Sequence, residues 1–298
     1  MHRIVNYSFM KKLFVCAFAA FSMLACSFLT NDLNLDDLTP SEPVAQDGVL
    51  PGRFSVSSSK QVQFAQGNLQ FQASTNTWRF AEHQYDLIGD ANNNISSTNS
   101  EWIDLFGWGT GNNPTLTSTE SADYATFVDW GKNPISNAGK QAYLWRTLAA
   151  DEWTYLLMDR PNASSLFVLA TVHNVKGLIL LPDGWSAPDG VSLVNPMSKG
   201  MEKMDGYYSW ENVPHAFFDD NVFSGSKWRK LEEAGAVFFP LAGDRTGTNV
   251  FNVNSYGVYA SSTPRNDFGQ KVFDIGGGVV RPHGSADKTM GVSVRLVR

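Results

Sequence analysis

Four oxygen-bearing residues have the spacing of a calcium-binding loop. Asp90, Asn92, Asn94 and Glu101 stand at positions 1, 3, 5 and 12 of that pattern, and carboxylate and amide oxygens are the ligands that calcium prefers. Ile95 occupies the sixth position, where an EF-hand loop needs glycine for its sharp turn. The alternative is an Asx-rich turn that leads into a helix near residues 101–104. The sequence therefore offers one candidate calcium site and predicts no other cofactor.

Residues for thiol, iron or phosphate chemistry are sparse. Apart from His2, the histidines stand far apart, without the His-x-x-x-His spacing that favours a metal ligand pair, at His83, His173, His215 and His283. Gly107, Gly109 and Gly111 lack the strand-to-helix context of a nucleotide-binding turn. Paired carboxylates for glycoside hydrolysis stay open, because among 29 acidic residues some pair will lie at a suitable distance.

The N-terminal segment has the layout of a bacterial lipoprotein signal. Lys11 and Lys12 precede an apolar run over residues 13–20, and Ala25 stands directly before Cys26. The run is too short for a comfortable membrane-spanning helix. We therefore expect residues 1–25 to be removed and Cys26 to carry a lipid, which leaves the folded part without thiol or disulfide chemistry. The alternative is an ordinary signal peptide in which Cys26 is incidental.

The negative net charge of the chain argues against some classes of binding partner. Loss of residues 1–25 removes three basic residues and no acid, so the formal net charge changes from −6 to −9. This balance argues against nucleic acid, whose phosphates need a basic patch, and limits membrane contact to the lipid anchor. Ser27 after the predicted lipidated cysteine favours the outer membrane of a Gram-negative bacterium, by analogy with lipoprotein sorting, with the domain facing the periplasm or the cell surface.

The rest of the chain divides into a tether and a body. Residues 26–50 are rich in Asn, Asp, Thr, Ser and Pro and predict an acidic flexible tether. Residues 51–298 show no linker and no internal repeat, and they predict a single domain.

Within the body, alternating and turn-rich segments predict an α+β fold in which strands dominate. Strands are expected over residues 61–64, 68–71 and 78–80, and a hairpin over 167–182 around the turn at 173–176. Helices are expected over residues 149–159 and over 227–234, the second between a Ser226 cap and Gly235. Most aromatic side chains near the middle of the chain are expected in the core, although stacking on sugar rings is an alternative for Trp102, Phe106, Trp108 and Trp130.

A helix segment and three later blocks, in this order along the chain, carry a family resemblance. Residues 146–155 (RTLAADEWTY) resemble the Arg-Leu-Pro-Thr-x-x-Glu-Trp-x-Tyr helix of proteins related to formylglycine-generating enzyme, a branch of the C-type-lectin fold. With residues 238–248 (FFPLAGDRTGT) and 256–263 (YGVYASST), and the final SVRLVR, the series resembles the Fibrobacter major paralogous domain. Ala149 replaces the family's capping Thr, and Ala260 replaces a Trp. The resemblance spans roughly residues 54–298 and implies a strand-rich C-type-lectin-like domain.

Function does not follow from this fold alone, because relatives include oxidases, iron enzymes and binding modules. The oxidases use cysteines and the iron enzymes use clustered histidines, so neither chemistry is expected here. In relatives the late part of the chain forms the exposed ligand-binding face, which implies contacts from Arg265, Asn266, Asp267, Phe268, Lys271, Arg281 and His283. We expect a non-catalytic, lipid-anchored domain that binds an extracellular glycan or protein. The alternatives are a polysaccharide-acting enzyme with paired carboxylates and a structural component of a surface assembly.

Overall fold

Short strands joined by tight turns make up most of the molecule. The computed structural model describes residues 44–298, so the predicted signal, the lipidation of Cys26 and most of the tether lie outside the described residues. The strands, in chain order, are β1 (Phe54–Ser55), β2 (Gln61–Val62), β3 (Leu69–Gln72), β4 (Thr77–Phe80), β5 (Trp102–Ile103), β6 (Leu105–Phe106), β7 (Phe167–Val172), β8 (Val175–Leu180), β9 (Glu202–Lys203), β10 (Tyr208–Ser209), β11 (Val222–Phe223), β12 (Val237–Pro240), β13 (Asp244–Thr246), β14 (Asn249–Phe251), β15 (Tyr256–Pro264), β16 (Gly269–Gly276), β17 (Val279–Asp287) and β18 (Val292–Ser293). The helices are α1 (Ala150–Thr154), which continues as a π-helical turn (Tyr155–Asp159), and α2 (Gly225–Glu233). Short 3₁₀ turns cover Gly89–Asn94, Ser121–Tyr124, Trp130–Lys132, Ala163–Ser165, Pro196–Lys199 and Phe217–Asp219.

The largest sheet of the described residues has the order β6-β18-β15-β16-β17-β10-β9. Its central strands β15, β16 and β17 are long and antiparallel, and β18 joins β15 in parallel. A second sheet has the order β11-β7-β8-β12, and a third has the order β4-β3-β5. Two-stranded pairs, β1 with β2 and β13 with β14, complete the strand set. The predicted α+β class with dominant strands is confirmed.

Local sequence patterns account for the strands that were predicted. β3 and β4 form the expected antiparallel pair, with Phe71 opposite Trp78. β7 and β8 form the expected hairpin. Its two turn residues, His173 and Asn174, have φ of 47° and 66°. Positive φ at both positions is typical of two-residue hairpin turns, whose twist matches the twist of the flanking strands. Asn accepts this left-handed backbone more readily than most residues do.

The predicted helix near residues 101–104 is wrong, because this segment contains strand β5. Trp102 pairs with Gln72 and Ile103 pairs with Phe71, so β5 adds an edge to the β3–β4 hairpin. The second predicted helix begins two residues earlier than expected: Ser224 stands at its N-cap, although its side chain makes no capping hydrogen bond. Gly235 follows the helix with φ of 92°, as expected for a helix-ending glycine.

The first turn of helix α1 is capped by a residue of strand β15. Ala149 has no side-chain acceptor, and the hydroxyl oxygen of Thr263 in β15 accepts the N–H of Ala150 at 3.0 Å instead. The Glu152 carboxylate accepts the N–H of Ala149 at 3.0 Å and pairs with both terminal nitrogens of Arg146 at 2.6 and 2.7 Å. Burial opposes ionisation of Glu152, but these hydrogen bonds outweigh it and hold its pKa below the ordinary value. The matched residues of the helix segment therefore fix the start of α1.

Thr263→Val is expected to lower the free energy of unfolding by about 1 kcal/mol, because the N–H of Ala150 loses its acceptor. Ala149→Ser in the same background supplies a local cap and is expected to restore most of the loss. Urea unfolding of the single and double variants measures both effects. Equal stability of Thr263→Val and the unchanged protein would contradict the proposed cap.

Aromatic rings from several elements form the centre of the main core. Phe239 of β12 makes edge-on contacts with Phe64 at 5.5 Å, Trp153 at 5.7 Å, Tyr259 at 5.0 Å and Phe273 at 5.6 Å. Such arrangements place the positive ring edge against a negative ring face. The core therefore joins α1, β12 and the long strands of the main sheet.

Most of the aromatic residues weighed as sugar-stacking candidates lie in the core. Phe106, Trp108 and Trp130 are buried, as predicted. Trp102 is partly exposed, and the guanidinium of Arg79 lies 3.8 Å from its ring centroid. Ala260, which replaces a family Trp, is itself buried, and the indole of Trp153 donates to its carbonyl oxygen at 3.3 Å.

The folded part begins before residue 51. Val49 and Leu50, placed in the tether by the sequence prediction, are buried. The N–H of Leu50 donates to Phe64 at 3.0 Å, and Gly48 accepts from Gln66 at 2.8 Å. The apolar pair Val49-Leu50 has a place in the core, which moves the boundary toward the N terminus. Within residues 44–298, no helix is long and apolar enough to cross a bilayer.

Candidate functional site

Four of the predicted ligand-binding residues share one turn at the end of the main sheet. Arg265, Asn266, Asp267 and Phe268, here called the hairpin tip, connect β15 to β16 and are all exposed. The Asn266 side-chain oxygen accepts the N–H groups of Phe268 at 3.0 Å and Gly269 at 2.7 Å, which fixes the turn. The Phe268 side chain is 68% exposed. The hairpin tip therefore presents an aromatic ring and two opposite charges on a fixed backbone.

Arg281 is engaged within the sheet. Its guanidinium pairs with Asp274 on the adjacent strand at 2.6 Å, and the Asp274 side chain is 3% exposed. The hydroxyl of Tyr256 donates to the same carboxylate and accepts from Arg281 at 3.1 Å. Gly284 leaves room for this carboxylate, since a Cβ there would lie 2.1 Å from an Asp274 oxygen. Arg281 therefore has a structural partner, which reduces its value as a ligand contact.

The predicted contacts are spread along the sheet. Lys271 pairs in register with Ser285, and Asp274 pairs with Arg281 further along the strand. The path along β16 from Gly269 to Asp274 covers about 17 Å of extended chain, so the hairpin tip and Arg281 do not share one small site. His283 is exposed on β17, and its ring lies against Gly206. The hairpin tip is the part of the predicted set that stays together.

A cavity of about 480 Å³ lies in the long segment that follows β6. We call it the loop pocket. Its lining comes from residues 108–116 and 122–128 and includes the polar residues Asn112, Asn113 and Asp123 and the aromatic residues Trp108 and Tyr124. Asn112, Asn113 and Asp123 are exposed, while Trp108 and Tyr124 are buried. Exposed polar residues and buried aromatic residues therefore line the pocket together.

Glycines at alternate positions shape the loop pocket. A Cβ on Gly107 would lie 2.3 Å from the Tyr124 ring, so only glycine lets this ring pack under the loop. Gly109 has φ of 66° and lies against the backbone of Phe127, which favours glycine for both reasons. The N–H of Gly111 donates to Val128 at 3.0 Å and closes the neck of the loop. This glycine series, which lacks the context of a nucleotide-binding turn, builds a different kind of pocket.

Lys288 connects the loop pocket to the hairpin tip. Its N–H donates to the carbonyl oxygen of Phe268 at 2.9 Å, and its own carbonyl oxygen accepts from Trp108 at 2.9 Å. The Lys288 ammonium lies 4.5 Å from the centroid of the Trp108 ring, a cation–π contact. The indole N–H of Trp108 donates to Ser261 at 3.1 Å. One ordered strip of backbone therefore joins the exposed Phe268 turn to the wall of the loop pocket.

The calcium pattern does not form a shared ligand set. Asn92 is buried, and its side-chain oxygen accepts from Asp104 at 2.9 Å and Leu105 at 3.2 Å. Its side-chain nitrogen donates to Asp104 at 2.8 Å. The other three residues of the pattern are exposed, at Asp90, Asn94 and Glu101. Asn92 therefore anchors a turn to the junction between β5 and β6. Within residues 44–298, no cluster of three or more His, Cys, Asp or Glu side chains is placed to hold a metal.

Acids whose pKa values are raised and that share a cleft are typical of a carboxylate enzyme. Burial raises the pKa of Asp104 to about 6 and that of Glu232 to about 7, and burial also raises the pKa of Asp244. Asp104 is bound to Asn92, Glu232 to Gln84 and Asp244 to Asn252. None of these acids lines the loop pocket or a second cavity of about 390 Å³ near Leu50 and Arg298.

Glu232→Gln is expected to make the protein more stable at pH 8 by about 1–2 kcal/mol. The folded pKa of about 7 lies above the ordinary 4.5, so the folded state binds the proton more tightly and stability falls as pH rises through this window. The amide oxygen of Gln can still accept from Gln84. Thermal unfolding at pH 5 and pH 8 measures the difference.

Glu233→Gln is the matched control, because that side chain is 54% exposed and pairs with Arg229 at 2.8 Å. The difference in stability between the two pH values should shrink in Glu232→Gln and persist in Glu233→Gln. A remaining slope is expected from buried Asp104, whose folded pKa is also raised. An identical slope in the unchanged protein and in Glu232→Gln would contradict the assignment.

Comparison of the chain with protein-family models, curated proteins and solved structures finds no match in any of the three. The site must therefore be interpreted from its own geometry. The loop pocket could not be predicted from the sequence, because residues 112–126 are mostly small and polar. The alternating glycines at 107–111 are the trace of the pocket in the sequence, and the burial of Tyr124 beneath them is visible only in the structure.

Proposed function

We propose that residues 44–298 form a C-type-lectin-like binding domain for an extracellular glycan, which binds in the loop pocket and contacts the hairpin tip. The observation that carries this proposal is the loop pocket itself. Its volume of about 480 Å³ falls in the range of small-ligand sites. Its connection through Lys288 to the hairpin tip agrees with the ligand-binding face that the family resemblance implies.

The lining of the loop pocket matches the chemistry of sugars. The side chains of Asn112 and Asn113 each offer a donor and an acceptor, and the carboxylate of Asp123 accepts. Sugar hydroxyl groups donate and accept hydrogen bonds, so they can pair with amides and carboxylates at the same time. The buried rings of Trp108 and Tyr124 pack beneath these residues and hold the pocket in shape. This combination favours a polyhydroxylated ligand over a purely apolar one.

Binding without hydrolysis fits the acids at the loop pocket. Glycoside hydrolysis by the usual mechanisms needs two carboxyl groups that flank the scissile bond. Asp123 is the one carboxylate in the pocket lining. The buried acids with raised pKa values lie in separate hydrogen-bonded positions. We therefore assign the pocket to recognition.

A glycan array tests the proposal. The chain from residue 27 onward is screened with and without calcium, beside a pocket variant (Asn113→Ala with Asp123→Ala) and a tip variant (Arg265→Ala, Asp267→Ala and Phe268→Ala). Asp205→Ala, an exposed acid away from the pocket lining, is the control. Binding that both variants weaken and the control retains supports the proposal. Absence of binding to every glycan on the array, or binding to proteins alone, refutes the proposal.

The second part of the proposal is the anchor. We propose that Cys26 carries a lipid that holds the domain at the outer membrane of a Gram-negative bacterium, on its periplasmic or outer side. The support is the signal pattern that ends at Cys26. Cys26→Ala should move the protein from the membrane fraction to the soluble fraction. Unchanged partitioning would refute the anchor.

A further inference from the structure

Tyr143 combines exposure with an unfavourable backbone. Its side chain is 78% exposed, the highest value among the large apolar side chains exposed in the described part of the chain. Its φ is 62°, in the left-handed region that is strained for a residue with a Cβ atom. Gly or Asn would adopt this backbone at lower cost. The fold therefore keeps a strained backbone at a residue whose ring it does not bury.

The loop that carries Tyr143 is firmly held. The N–H of Tyr143 donates to Gly131 at 2.8 Å, and the N–H of Lys140 donates to Ile135 at 3.2 Å. The indole of Trp145 donates to Ala138 at 3.2 Å from beneath the loop. The Tyr143 ring is thus presented on a fixed backbone, which reduces the entropy lost when a ligand binds it.

Two lysines lie close to Tyr143 along the backbone. Lys132 follows Gly131, the residue that Tyr143 contacts, and Lys140 is three residues before Tyr143 in the same loop. Neither lysine forms an ion pair within residues 44–298. The nearby acid Asp129 has both oxygens engaged, by Gly131 and by Thr147. Two lysines against the single acid Asp129 give residues 129–143 a net charge of +1 on a chain of formal net charge −6, which favours an anionic ligand at this segment.

We propose that Tyr143, Lys132 and Lys140 form an acidic-sugar subsite that extends the loop pocket. This inference rests on the proposed glycan-binding function and adds the class of ligand, a polysaccharide with uronate residues. The Tyr143 ring stacks on the apolar face of a sugar ring, and the lysines attract its carboxylate. Asn133, next to Lys132, donates its side-chain N–H to Gly111 at 2.7 Å, which connects the patch to the neck of the loop pocket.

The shape of the patch favours a sugar over an acidic peptide. Protein hot spots usually lie in well-packed pockets that a rim shields from water. Tyr143 lies on an open loop with most of its ring surface free, as a flat platform for a ring-shaped ligand. Poly-glutamate therefore serves as the competing probe.

The experiment measures affinity for polygalacturonate and for its methyl ester, which removes the charge and keeps the sugar rings. The chain from residue 27 onward should bind polygalacturonate at least tenfold more tightly than the ester, with an advantage that falls as salt rises. Tyr143→Asn should lose at least tenfold in affinity for polygalacturonate while its Tm rises by about 2–4 °C, because the backbone strain is relieved. Lys132→Ala with Lys140→Ala should remove the preference for the charged probe. Phe251→Ala, at an aromatic residue that is 48% exposed elsewhere, should retain binding.

The outcomes separate the two proposals. Binding of neutral glycans that depends on Asn113 and Asp123, without preference for polygalacturonate, keeps the glycan function and overturns the acidic-sugar subsite. Equal or tighter binding of poly-glutamate overturns the subsite as well. A lower Tm for Tyr143→Asn would show that the ring stabilises the fold, which also overturns it. Absence of binding to every glycan refutes both proposals.

Discussion

Arg295→Met is expected to lower the free energy of unfolding by about 4 kcal/mol, because three buried acceptors lose their donor. The Arg295 guanidinium donates to the side chain of Asn68 at 3.1 Å and to the carbonyl oxygens of Ala65 at 3.0 Å and Phe238 at 2.7 Å. The side chain is 2% exposed, so water cannot replace these bonds. Burial lowers the Arg295 pKa to about 10, which still leaves it charged at neutral pH. Removal of a buried charge offsets part of the loss.

Arg298→Met is the matched control for Arg295→Met. Both arginines stand in the final Arg-Leu-Val-Arg series, but Arg298 is exposed and its guanidinium lies 5.5 Å from the centroid of the Trp145 ring. Its replacement should cost less than about 1 kcal/mol. Urea unfolding at pH 7 compares the two variants. Similar stability of the two would contradict the role assigned to Arg295.

Asp183→Ala is expected to cost about 3 kcal/mol at pH 7, since it leaves a buried arginine without its partner. The Arg160 side chain is fully buried and pairs with Asp183 at 3.0 Å. The other carboxylate oxygen of Asp183 accepts from the N–H of Ser55 at 2.7 Å and from the Ser55 hydroxyl at 2.6 Å. It also accepts from the side-chain amide of Gln61 at 2.9 Å. One carboxylate thus ties the β1–β2 pair to the end of the β8 strand.

The pH dependence of this effect has a defined sign. Burial opposes ionisation of Asp183, but the hydrogen bonds from Ser55, Gln61 and Arg160 outweigh it and lower its pKa below 3.8. Its stabilisation is therefore present above pH 3.8 and is lost as pH falls through the folded value. Asp189→Ala is the control, because Asp189 stands in a second Pro-Asp-Gly sequence but is exposed. Equal thermal stability of the two variants would contradict the assignment.

Much of the strand content follows from local sequence. Alternation of polar and apolar residues around Phe71 and Trp78 predicted β3 and β4. The turn expected at 173–176 predicted the β7–β8 hairpin, whose turn in the structure is His173 and Asn174 alone. The segment from Trp102 to Ile103 could not be assigned locally, because its strand state comes from pairing with β3. The helix cap could not be predicted for the same reason, since Thr263 is distant in sequence from Ala150.

The candidate site was predictable only in part. The hairpin tip holds together because its four residues are contiguous in the chain. The pairing of Arg281 with Asp274 depends on the register between β16 and β17, which no spacing rule reveals. The loop pocket depends on long-range packing of Tyr124 beneath Gly107. Composition of the 112–126 segment gave no sign of this packing.

The central claim is that the loop pocket binds a glycan. The most direct measurement is calorimetric titration of the strongest array ligand into the unchanged chain, the Asn113→Ala with Asp123→Ala variant, and the Asp205→Ala control. We predict at least a tenfold loss of affinity in the pocket variant, about 1.4 kcal/mol or more, and no change in the control. Equal affinity in all three proteins would place the ligand elsewhere and contradict the account.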